Sequence, residues 1–320
     1  MKKIFTLLAL TMSFSMNAQL TAVTEGGNTG QRLSTSNASN HGDIGSDAVD
    51  LSIQSLANST RGATGFKAVA MGSNTTASGS ISTAIGNANE ASGTFSTSMG
   101  VSTLASGYGS TSMGNYTEAN GWYSTAMGYG ATASGSYSTA IGKYATASDY
   151  SSTVIGQHNS SGSSVTNNAT SFSTSNTAFV IGNGENSSNK SDAFKVMFNG
   201  DTTVSNDLTV SGDVVISSDA RLKSNIVSLG STLPKLLQID GKSYEMKGKQ
   251  KIGVLAQEIK EVFPELVSKD DNEMLAVNYQ GLVPVLINAL KEQDAKMKEQ
   301  EKKINRLEKI LLKLNENYED

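Results

Sequence analysis

The sequence predicts a mainly β chain: a trimeric parallel β-roll or β-solenoid stalk with a β-prism neck, then a small α+β domain and a C-terminal coiled-coil helix. Three observations predict this order, namely a 14-residue repeat, a glycine-punctuated stretch of alternating apolar and polar residues, and a closing heptad pattern. Hydrophobic residues make up 37% of the 320, below the ~45–50% usual in globular proteins, so we do not expect one large core.

The repeat starts at Gly65 and runs through seven blocks, of which GSYSTAIGKYATAS is typical. Two glycines recur in each block, where turns or close backbone approach require them. Short strands are predicted between the glycines, because Gly, Ser and Thr disfavour helix. Alternate side chains of a strand point to opposite faces, and we expect two sets to point inward. These are the Ile or Met before the second glycine (Met71, Ile85, Met99, Met113, Met127, Ile141, Ile155) and an alanine of the other strand (Ala77, Ala91, Ala105, Ala119, Ala133, Ala147).

Each predicted coil has a thin core, with only two such apolar side chains per block. That burial is too small to offset ordering the backbone at ~1–2 kcal/mol per residue. A lone solenoid of this kind is therefore expected to be unstable, whereas three chains packed side by side share one core. Stacking at ~4.8 Å per coil predicts a rod roughly 35–40 Å long.

Beyond the repeats, the texture of the sequence changes twice. A polar insert at residues 163–175 precedes a degenerate copy of the repeat, AFVIGNGEN, which starts at Ala178. From Ala193 to Val215, apolar and polar residues alternate and are interrupted by Asn199-Gly200 and Ser211-Gly212. Short strands with turns are predicted there, which in a fibre form a β-prism or triple β-helix neck.

The end of the chain predicts helix. From Ile252 to Val262 the pattern is typical of a strand that runs into a helix, and a long helix is predicted to begin at Leu282. A trimeric coiled coil or bundle is expected, with a single amphipathic helix as the alternative. The apolar seam at a and d positions is Val283, Leu286, Leu290, Met297, Ile304, Leu307, Leu311, Leu314 and Tyr318.

Composition excludes several kinds of site. The net charge is -4 and no basic stripe is visible, so no nucleic-acid partner is expected. The absence of cysteine excludes disulfides and thiolate metal sites. His41 and His158 lie far apart in polar surroundings, so we predict no metal site and no cofactor.

The start of the chain is typical of a secretory signal peptide. Lys2 and Lys3 precede an apolar run from Ile4 to Phe14, which is too short to span a membrane. With cleavage after Ala18, the protein is expected to be secreted or at the cell surface. No other apolar run approaches ~18 residues, so no transmembrane segment is predicted.

Two segments resemble known families. Residues 65–162, with their Ser-Thr-Ala-Ile-Gly core and 14-residue period, resemble the head repeats of YadA-type trimeric adhesins. The resemblance implies a left-handed parallel β-roll in a homotrimer. The charged helix predicted at the end of this chain differs from the membrane-anchor segment with which YadA-type proteins end, so an autotransporter is not expected.

The second resemblance covers residues 217–292. The motifs SSDARLK at 217–223, Asn225-Ile226, IGVLAQE at 252–258, VFPELV at 262–267 and VNY at 277–279 occur in the order seen in another family. They resemble the C-terminal intramolecular chaperone of phage tail spikes, tail fibres and endosialidases, a self-cleaving Ser/Lys peptidase family. The resemblance implies a chaperone domain that drives trimerisation and folding and then cuts itself off as a single-turnover serine endopeptidase, with no external substrate.

The same resemblance implies the site residues. Its nucleophile opens the motif Ser-Asp-x-Arg-Leu-Lys and its lysine closes it, which gives Ser218 and Lys223, with the cut between Ser217 and Ser218. A serine hydroxyl needs a base, and a lysine serves when burial or nearby positive charge lowers its pKa toward neutral. An assembled trimer supplies such burial. The alternative is that Ser218-Asp219 cap a helix and that Lys223 lies on its solvated face.

Four further residues are candidates for support. We predict that Arg221 holds either Asp219 or the developing oxyanion, and both roles stay open. Gln257 and Glu258 match a hallmark of the same family. For these two we favour a structural role, in which they hold the turn from strand to helix.

Three functions compete. The first is a secreted fibre with a self-removing chaperone, and the alternative is a surface adhesin whose C-terminal domain stays attached as a permanent trimerisation module. A polysaccharide hydrolase is the weakest, because no carboxylate pair recurs in the repeats. Surface carbohydrate and protein both stay open as ligands of an aromatic row, although stacking between coils is the plainer interpretation. That row comprises Phe66, Phe95, Tyr108, Trp122, Tyr123, Tyr137 and Tyr150.

We therefore expect six segments along the chain. They are a signal peptide (1–18), an N-terminal linker or cap (19–64), the head repeats (65–162), the insert with the degenerate repeat and neck (163–217), the chaperone and auto-peptidase domain (218–282) and the coiled-coil helix (283–320).

Overall fold

A computed structural model describes residues 20–269 and 273–316 of the chain. It divides into two compact units, of which the first ends at Asp213 and the second begins at Val214. The predicted signal peptide and the last seam residue, Tyr318, lie outside the described residues.

The first unit is a β-solenoid in which each coil contributes one long and one short strand. The long strands stack in parallel, and antiparallel strands at both ends extend their sheet to thirteen, which we call the long-strand sheet. Its strands are β1 (Leu20–Glu25), β2 (Asn28–Leu33), β3 (Val49–Ile53), β5 (Val69–Ser73), β7 (Thr83–Asn87), β9 (Thr97–Val101), β11 (Thr111–Asn115), β13 (Thr125–Tyr129), β15 (Thr139–Lys143), β17 (Thr153–Gln157), β18 (Thr177–Asn183), β19 (Asp192–Met197) and β20 (Thr202–Val204).

The short strands form a second sheet of seven parallel strands, which we call the short-strand sheet. Each repeat position pairs with the same position of the next block, so that Met113, Met127 and Ile141 stand side by side. The predicted mainly β solenoid is thereby confirmed. The short strands are β4 (Gly62–Ala63), β6 (Thr76–Ala77), β8 (Glu90–Ala91), β10 (Leu104–Ala105), β12 (Glu118–Ala119), β14 (Thr132–Ala133) and β16 (Thr146–Ala147).

The core between the two sheets is made of small side chains. The alanines of the short strands are fully buried, as expected. On the long strands, however, the buried residue precedes the expected Ile or Met, and the Ile and Met side chains lie on the outer face, partly or substantially exposed. The inward prediction for them was wrong by one residue, which moves a side chain to the opposite face of a strand. The residues that fill the narrow interior are Ala70, Ala84, Ser98, Ser112, Ala126, Ala140, Val154 and Val180.

Both glycine positions of the repeat are required by the stacking of coils. Gly86 has a positive φ of 124°, and a Cβ on it would overlap the carbonyl oxygen of Gly100 in the next coil. Gly121 has no positive φ, but a Cβ there would overlap the carbonyl oxygen of Gly135. The first position therefore needs both the backbone conformation and the space, and the second needs the space alone.

The two ends of the solenoid are closed by different devices. At the start, the buried Arg32 side chain forms an ion pair with Glu25 at 2.6 Å, and His41 Nδ1 lies 2.8 Å from Asp50 Oδ2. At the other end, buried Asp149 replaces the repeat glycine. Its carboxylate accepts hydrogen bonds from the backbone N–H groups of Thr166 (2.6 Å) and Thr177 (2.8 Å). Asp149 thus fixes both ends of the polar insert.

The predicted neck forms strands only in part. β19 and β20 pair as a hairpin, whose turn contains Gly200 at φ 93°. Between Val204 and Lys242 the structure has no strand. In this segment the apolar side chains of Val214, Val215 and Ile216 are 58–88% exposed. Apolar residues of this kind lack an intramolecular partner in a single chain.

The second unit is a small α+β fold around one core. Ile259, Phe263 and Val285 are buried there, and Leu236, Val254 and Leu266 pack against them. The strand-to-helix prediction and the long final helix are both confirmed. The elements are α1 (Leu233–Leu236), β21 (Lys242–Met246), β22 (Lys249–Gly253), α2 (Ala256–Val262), β23 (Val267–Lys269), β24 (Leu275–Val277) and α3 (Leu282–Glu316).

Candidate functional site

The motif at 217–223 forms a single exposed 3₁₀ turn, Ala220–Leu222. Asp219 caps it, with extended backbone angles and a side-chain oxygen that accepts the Arg221 N–H at 2.8 Å. Aspartate is a favoured residue at this position because it pairs with a free backbone donor. The capping expected under the alternative interpretation is therefore present, and the turn brings the two ends of the motif together.

Ser218 and Lys223 meet across this turn. The Lys223 Nζ donates a hydrogen bond to the Ser218 Oγ at 2.8 Å, which is within the range for proton transfer between a nucleophile and its base. Both side chains are exposed in the single chain. The pair thus has the geometry that a Ser/Lys dyad needs, without the burial that activates a lysine.

Arg221 is held by Asp219. Its guanidinium donates three hydrogen bonds to the carboxylate, Nε to Oδ1 at 3.1 Å, Nε to Oδ2 at 3.2 Å and Nη2 to Oδ2 at 2.7 Å. These bonds lower the pKa of Asp219 and raise that of Arg221. Of the two roles left open by the sequence, this geometry favours the contact with Asp219.

Gln257 and Glu258 lie in the first turn of α2. Glu258 accepts a hydrogen bond from the backbone N–H of Asp240 at 3.3 Å and lies 3.3 Å from Lys242 Nζ, so it connects α2 to β21. Gln257 lines an open cavity of about 260 Å³. Within the described part of the chain, no hydrogen bond or ion pair joins either residue to Ser218 or Lys223. The cavity is otherwise lined by Tyr244, Val254, Leu255, Ala256, Leu275, Val277 and Tyr279.

Glu292 is a positioning residue that the sequence reasoning missed. From α3 it accepts hydrogen bonds from the Ser231 hydroxyl at 2.7 Å and from the Leu233 N–H at 3.2 Å, and so caps the start of α1. Bonds from the Thr232 backbone, above all, lower the pKa of Glu292. The chain just after the SSDARLK motif is thereby fixed to the long helix. A glutamate on a charged helix carries no local signal for such a distant contact.

Two rows of aromatic rings run along the solenoid, of which the sequence reasoning identified one. The first aromatic ladder lies on the turn before the long strands; neighbouring rings such as Phe95 and Tyr108 are 5.3 Å apart. The second aromatic ladder was missed; Tyr129 lies at the end of its long strand, and the other members follow the ends of theirs. The first comprises Phe95, Tyr108, Trp122, Tyr123, Tyr137 and Tyr150, and the second Tyr116, Tyr129, Tyr144 and His158.

Neither a metal centre nor a membrane helix is found in residues 20–269 and 273–316. No three acidic or histidine side chains are grouped closely enough to hold a metal ion. No described helix combines the length and apolar character needed to cross a membrane.

Comparison with known families supports both resemblances. Residues 218–268 match the family model Peptidase_S74, chaperone of endosialidase. Residues 63–89, 91–117, 119–145 and 133–159 each match the YadA head domain repeat. No curated protein matches the chain. The chain thus contains one segment similar to YadA-type head repeats and another similar to the chaperone of endosialidase.

Proposed function

We propose that this protein is a secreted or surface homotrimeric fibre whose C-terminal domain assembles the trimer and then cuts the chain between Ser217 and Ser218. The observation that carries the proposal is the 2.8 Å hydrogen bond between Lys223 Nζ and Ser218 Oγ, inside a segment similar to a self-cleaving family. Under this proposal the segment limits are those expected from the sequence, with the chaperone domain starting at Ser218.

The position of the nucleophile determines the chemistry. Neutral Lys223 removes the proton from Ser218 Oγ, which attacks the carbonyl carbon of Ser217 in the peptide bond that precedes it. The C–N bond breaks, Lys223 returns the proton to the Ser218 nitrogen, and an ester joins Ser217 to Ser218 Oγ. Water, activated by Lys223, then hydrolyses the ester and leaves a carboxylate on Ser217 and a free amine on Ser218. Each proton and bond is accounted for with one water consumed.

Assembly is the step that activates Lys223 in this proposal. A lysine exposed to water keeps its proton at neutral pH, and burial against neighbouring chains disfavours the charged form. Cleavage is then coupled to correct trimerisation. Removing either member of such a pair abolishes most of the rate, because the two act as a unit.

Several unpartnered apolar surfaces support a trimer. The outer face of the long-strand sheet carries the Ile and Met row, in which Met71 is 40% and Ile141 39% exposed. The segment that includes Val214 to Ile216 has no strand partner, which supports pairing between chains in a prism neck. The seam of α3 remains exposed, with Met297, Ile304, Leu307 and Leu311 at 55–63%, as expected before a coiled coil forms.

A non-cleaving adhesin is the second candidate. The exposure of Ser218 and Lys223 in the single chain favours it, because a side chain left in water lacks the burial that activates a lysine. In that case the C-terminal domain is a permanent trimerisation module, and the head repeats carry the binding function toward a surface carbohydrate or protein.

Mass measurement of three variants tests the proposal. We expect Ser218→Ala and Lys223→Ala to yield intact chains that still form trimers. We expect Ser217→Ala, the matched control, to be cut, because Ser217 contributes only its carbonyl. N-terminal sequencing of the small product is expected to begin at Ser218. Unchanged cutting in Ser218→Ala, or no fragment from the unaltered chain, contradicts self-cleavage and leaves the adhesin.

A further inference from the structure

We infer that the two aromatic ladders are the halves of a seam between chains, in which the first ladder of one chain packs against the second ladder of its neighbour. The occupant of each ladder is thus a second copy of this protein. The inference rests on the proposed trimer, and it adds which side chains meet and what they determine.

The ladders occupy the same coils. From the block that starts at Gly107 to the block that starts at Asp149, every block carries a ring on both borders of its long strand. The pairs are Tyr108 with Tyr116, Trp122 and Tyr123 with Tyr129, Tyr137 with Tyr144, and Tyr150 with His158. Most of these rings are substantially exposed, with Tyr116 at 58% and Tyr137 at 50%. Stacking within one chain explains each row alone, but it does not require the two rows to share the same coils.

The two faces of the solenoid differ in polarity, and this difference determines which face turns toward the axis. Outward residues of the long-strand sheet include Met99, Met127 and Ile141. Outward residues of the short-strand sheet include Thr76, Glu90 and Glu118, which suit solvent. Burial of the apolar face is favoured at roughly 25 cal/mol per Å², so the long-strand sheet faces the axis of the trimer.

Symmetry then brings unlike borders together. In a closed cyclic trimer each contact is heterologous: one patch of a chain meets a different patch of the next. With the long-strand sheet facing the axis, the border before the strand of one chain lies beside the border after the strand of its neighbour. These borders are where the first and second aromatic ladders lie. The rings of each ladder, which already contact one another along the chain, thereby also contact the rings of the neighbouring chain's ladder at a corner of the trimer.

The seam determines axial register. Three chains built from near-identical repeats can slip by whole coils, and each slip keeps the Ile and Met row matched. The second aromatic ladder begins only at Tyr116, and the corresponding residues of earlier coils are Asn74, Ala88 and Ser102. With the coils aligned, every ring of the second aromatic ladder faces a ring, and Phe95 alone faces a residue of this kind, Ser102. Slips around a closed trimer must cancel, so a slip forward at one contact requires a slip back at another, and the slip back leaves His158 without a ring and places Tyr108 opposite Ser102. The aromatic coils therefore select one alignment of three repetitive chains.

Disulfide trapping tests the seam directly, because the chain contains no cysteine. Tyr137→Cys and Tyr144→Cys are combined in one chain and oxidised. Within a chain these sites flank strand β15, whose five residues span about 13 Å, too far for a disulfide. We expect covalent trimers on a non-reducing denaturing gel, since each neighbour pair contributes one bond.

The matched control pairs Tyr137→Cys with Thr146→Cys, on the outer face of the short-strand sheet. This pair is expected to give no covalent trimer. If sedimentation shows native trimers but the Tyr137/Tyr144 pair does not cross-link, the seam is wrong while the proposed trimer stands. Sedimentation of the unaltered protein as a monomer overturns the trimer, and the seam with it.

Fluorescence of the unaltered protein provides an independent readout. Trp122 is the single tryptophan of the sequence and belongs to the first aromatic ladder, and it is 63% exposed in one chain. In the trimer we expect acrylamide to quench it much less than in the urea-unfolded chain, with emission shifted to the blue. Quenching in the native trimer equal to that of the unfolded chain overturns the seam, without relying on a variant that fails to fold.

Discussion

Asp50 is the residue on which the start of the solenoid depends. Its carboxylate is fully buried and contacts His41, Ser52 and, at 3.5 Å, the Arg32 guanidinium. Burial by itself raises the pKa of Asp50, but the bonds from His41 and Ser52 outweigh it and leave that pKa below the usual 3.8. The network therefore stabilises the folded cap only while Asp50 is ionised.

The sign of this shift predicts an acid-sensitive cap. Because the folded pKa of Asp50 is lowered, its contribution is present above about pH 3.9 and is lost as the pH falls through the folded value. We expect the backbone amides of residues 28–54 to lose protection against hydrogen exchange, measured relative to their intrinsic rates at the same pH, as the pH falls through the folded pKa of Asp50. Asp50→Asn is expected to show fast exchange already at pH 6, since breaking a buried pair costs about 3–5 kcal/mol. The exposed Asp201→Asn is the control; an Asp50→Asn cap that stays protected at pH 6 contradicts the role.

At the scale of elements, the repeat period and the strand positions were readable because a 14-residue period leaves little choice of phase. Which side chains of the long strands point inward could not be predicted from the sequence. In TAIG either Ala140 or Ile141 can face inward, and the larger side chain is the usual choice. The structure reverses this because the space between the two sheets is narrow and is filled from the long strands by side chains no larger than valine, such as Ser98, Ser112 and Val154.

Because neighbouring coils stack closely, adding one methyl group at a repeat glycine is expected to destabilise the head strongly. Gly121→Ala places a Cβ against the carbonyl oxygen of Gly135, and backbone on both sides prevents relief. We expect loss of cooperative unfolding of the head, measured by circular dichroism during thermal denaturation. Glu90→Ala, on an exposed side chain of β8 on the solvent face of the short-strand sheet, is the control and is expected to change stability by less than about 0.5 kcal/mol. Normal melting of Gly121→Ala contradicts the close packing.

The first and the later turns of α3 have different roles, and deletion of the whole helix would remove both at once. Its first turns supply Val285 to the core of the second unit and Glu292 to the cap of α1. Its later turns expose the apolar seam from Met297 onward. Removing residues 297–320 therefore keeps the domain intact and takes away only the later seam. We expect this truncated chain to sediment as a monomer and to stay uncut, because Lys223 is not buried. Soluble trimers at the normal rate contradict the registration role of the seam.

At the scale of the whole molecule, the sequence predicts those parts of the candidate site that lie within one short motif, and not the contacts between distant segments. The motif itself brings Ser218 and Lys223 within 2.8 Å, and the family resemblance identified both residues. Contacts between distant segments, such as Glu292 with Ser231, have no local pattern and were missed. The neck is limited in another way: in the proposed trimer its strands pair only between chains, so its alternating apolar residues have no strand partner in one chain.

The proposed roles of the two units, a fibre and the domain that assembles it, predict that the fibre unfolds slowly but does not refold by itself. In the proposed trimer, alignment of three repetitive chains is slow, because separate chains must meet in register before contacts stabilise them. Under the proposed function, the second unit holds the chains together during that step, and cleavage then removes it. The cut fibre is therefore expected to be kinetically stable and unable to reassemble once unfolded.

Refolding from urea distinguishes the two states. The uncut Ser218→Ala trimer is expected to regain its native far-UV signal after dilution, whereas the purified cut fibre, residues 19–217, is expected to remain unfolded or to aggregate. Both are expected to unfold slowly at the same urea concentration, because the head is the same in each. A third sample, cut fibre mixed with separately purified residues 218–320, serves as control and is expected not to recover, since the chaperone acts only while joined to its chain. Efficient refolding of the cut fibre by itself contradicts an assembly role for the second unit, even if the bond before Ser218 is cut.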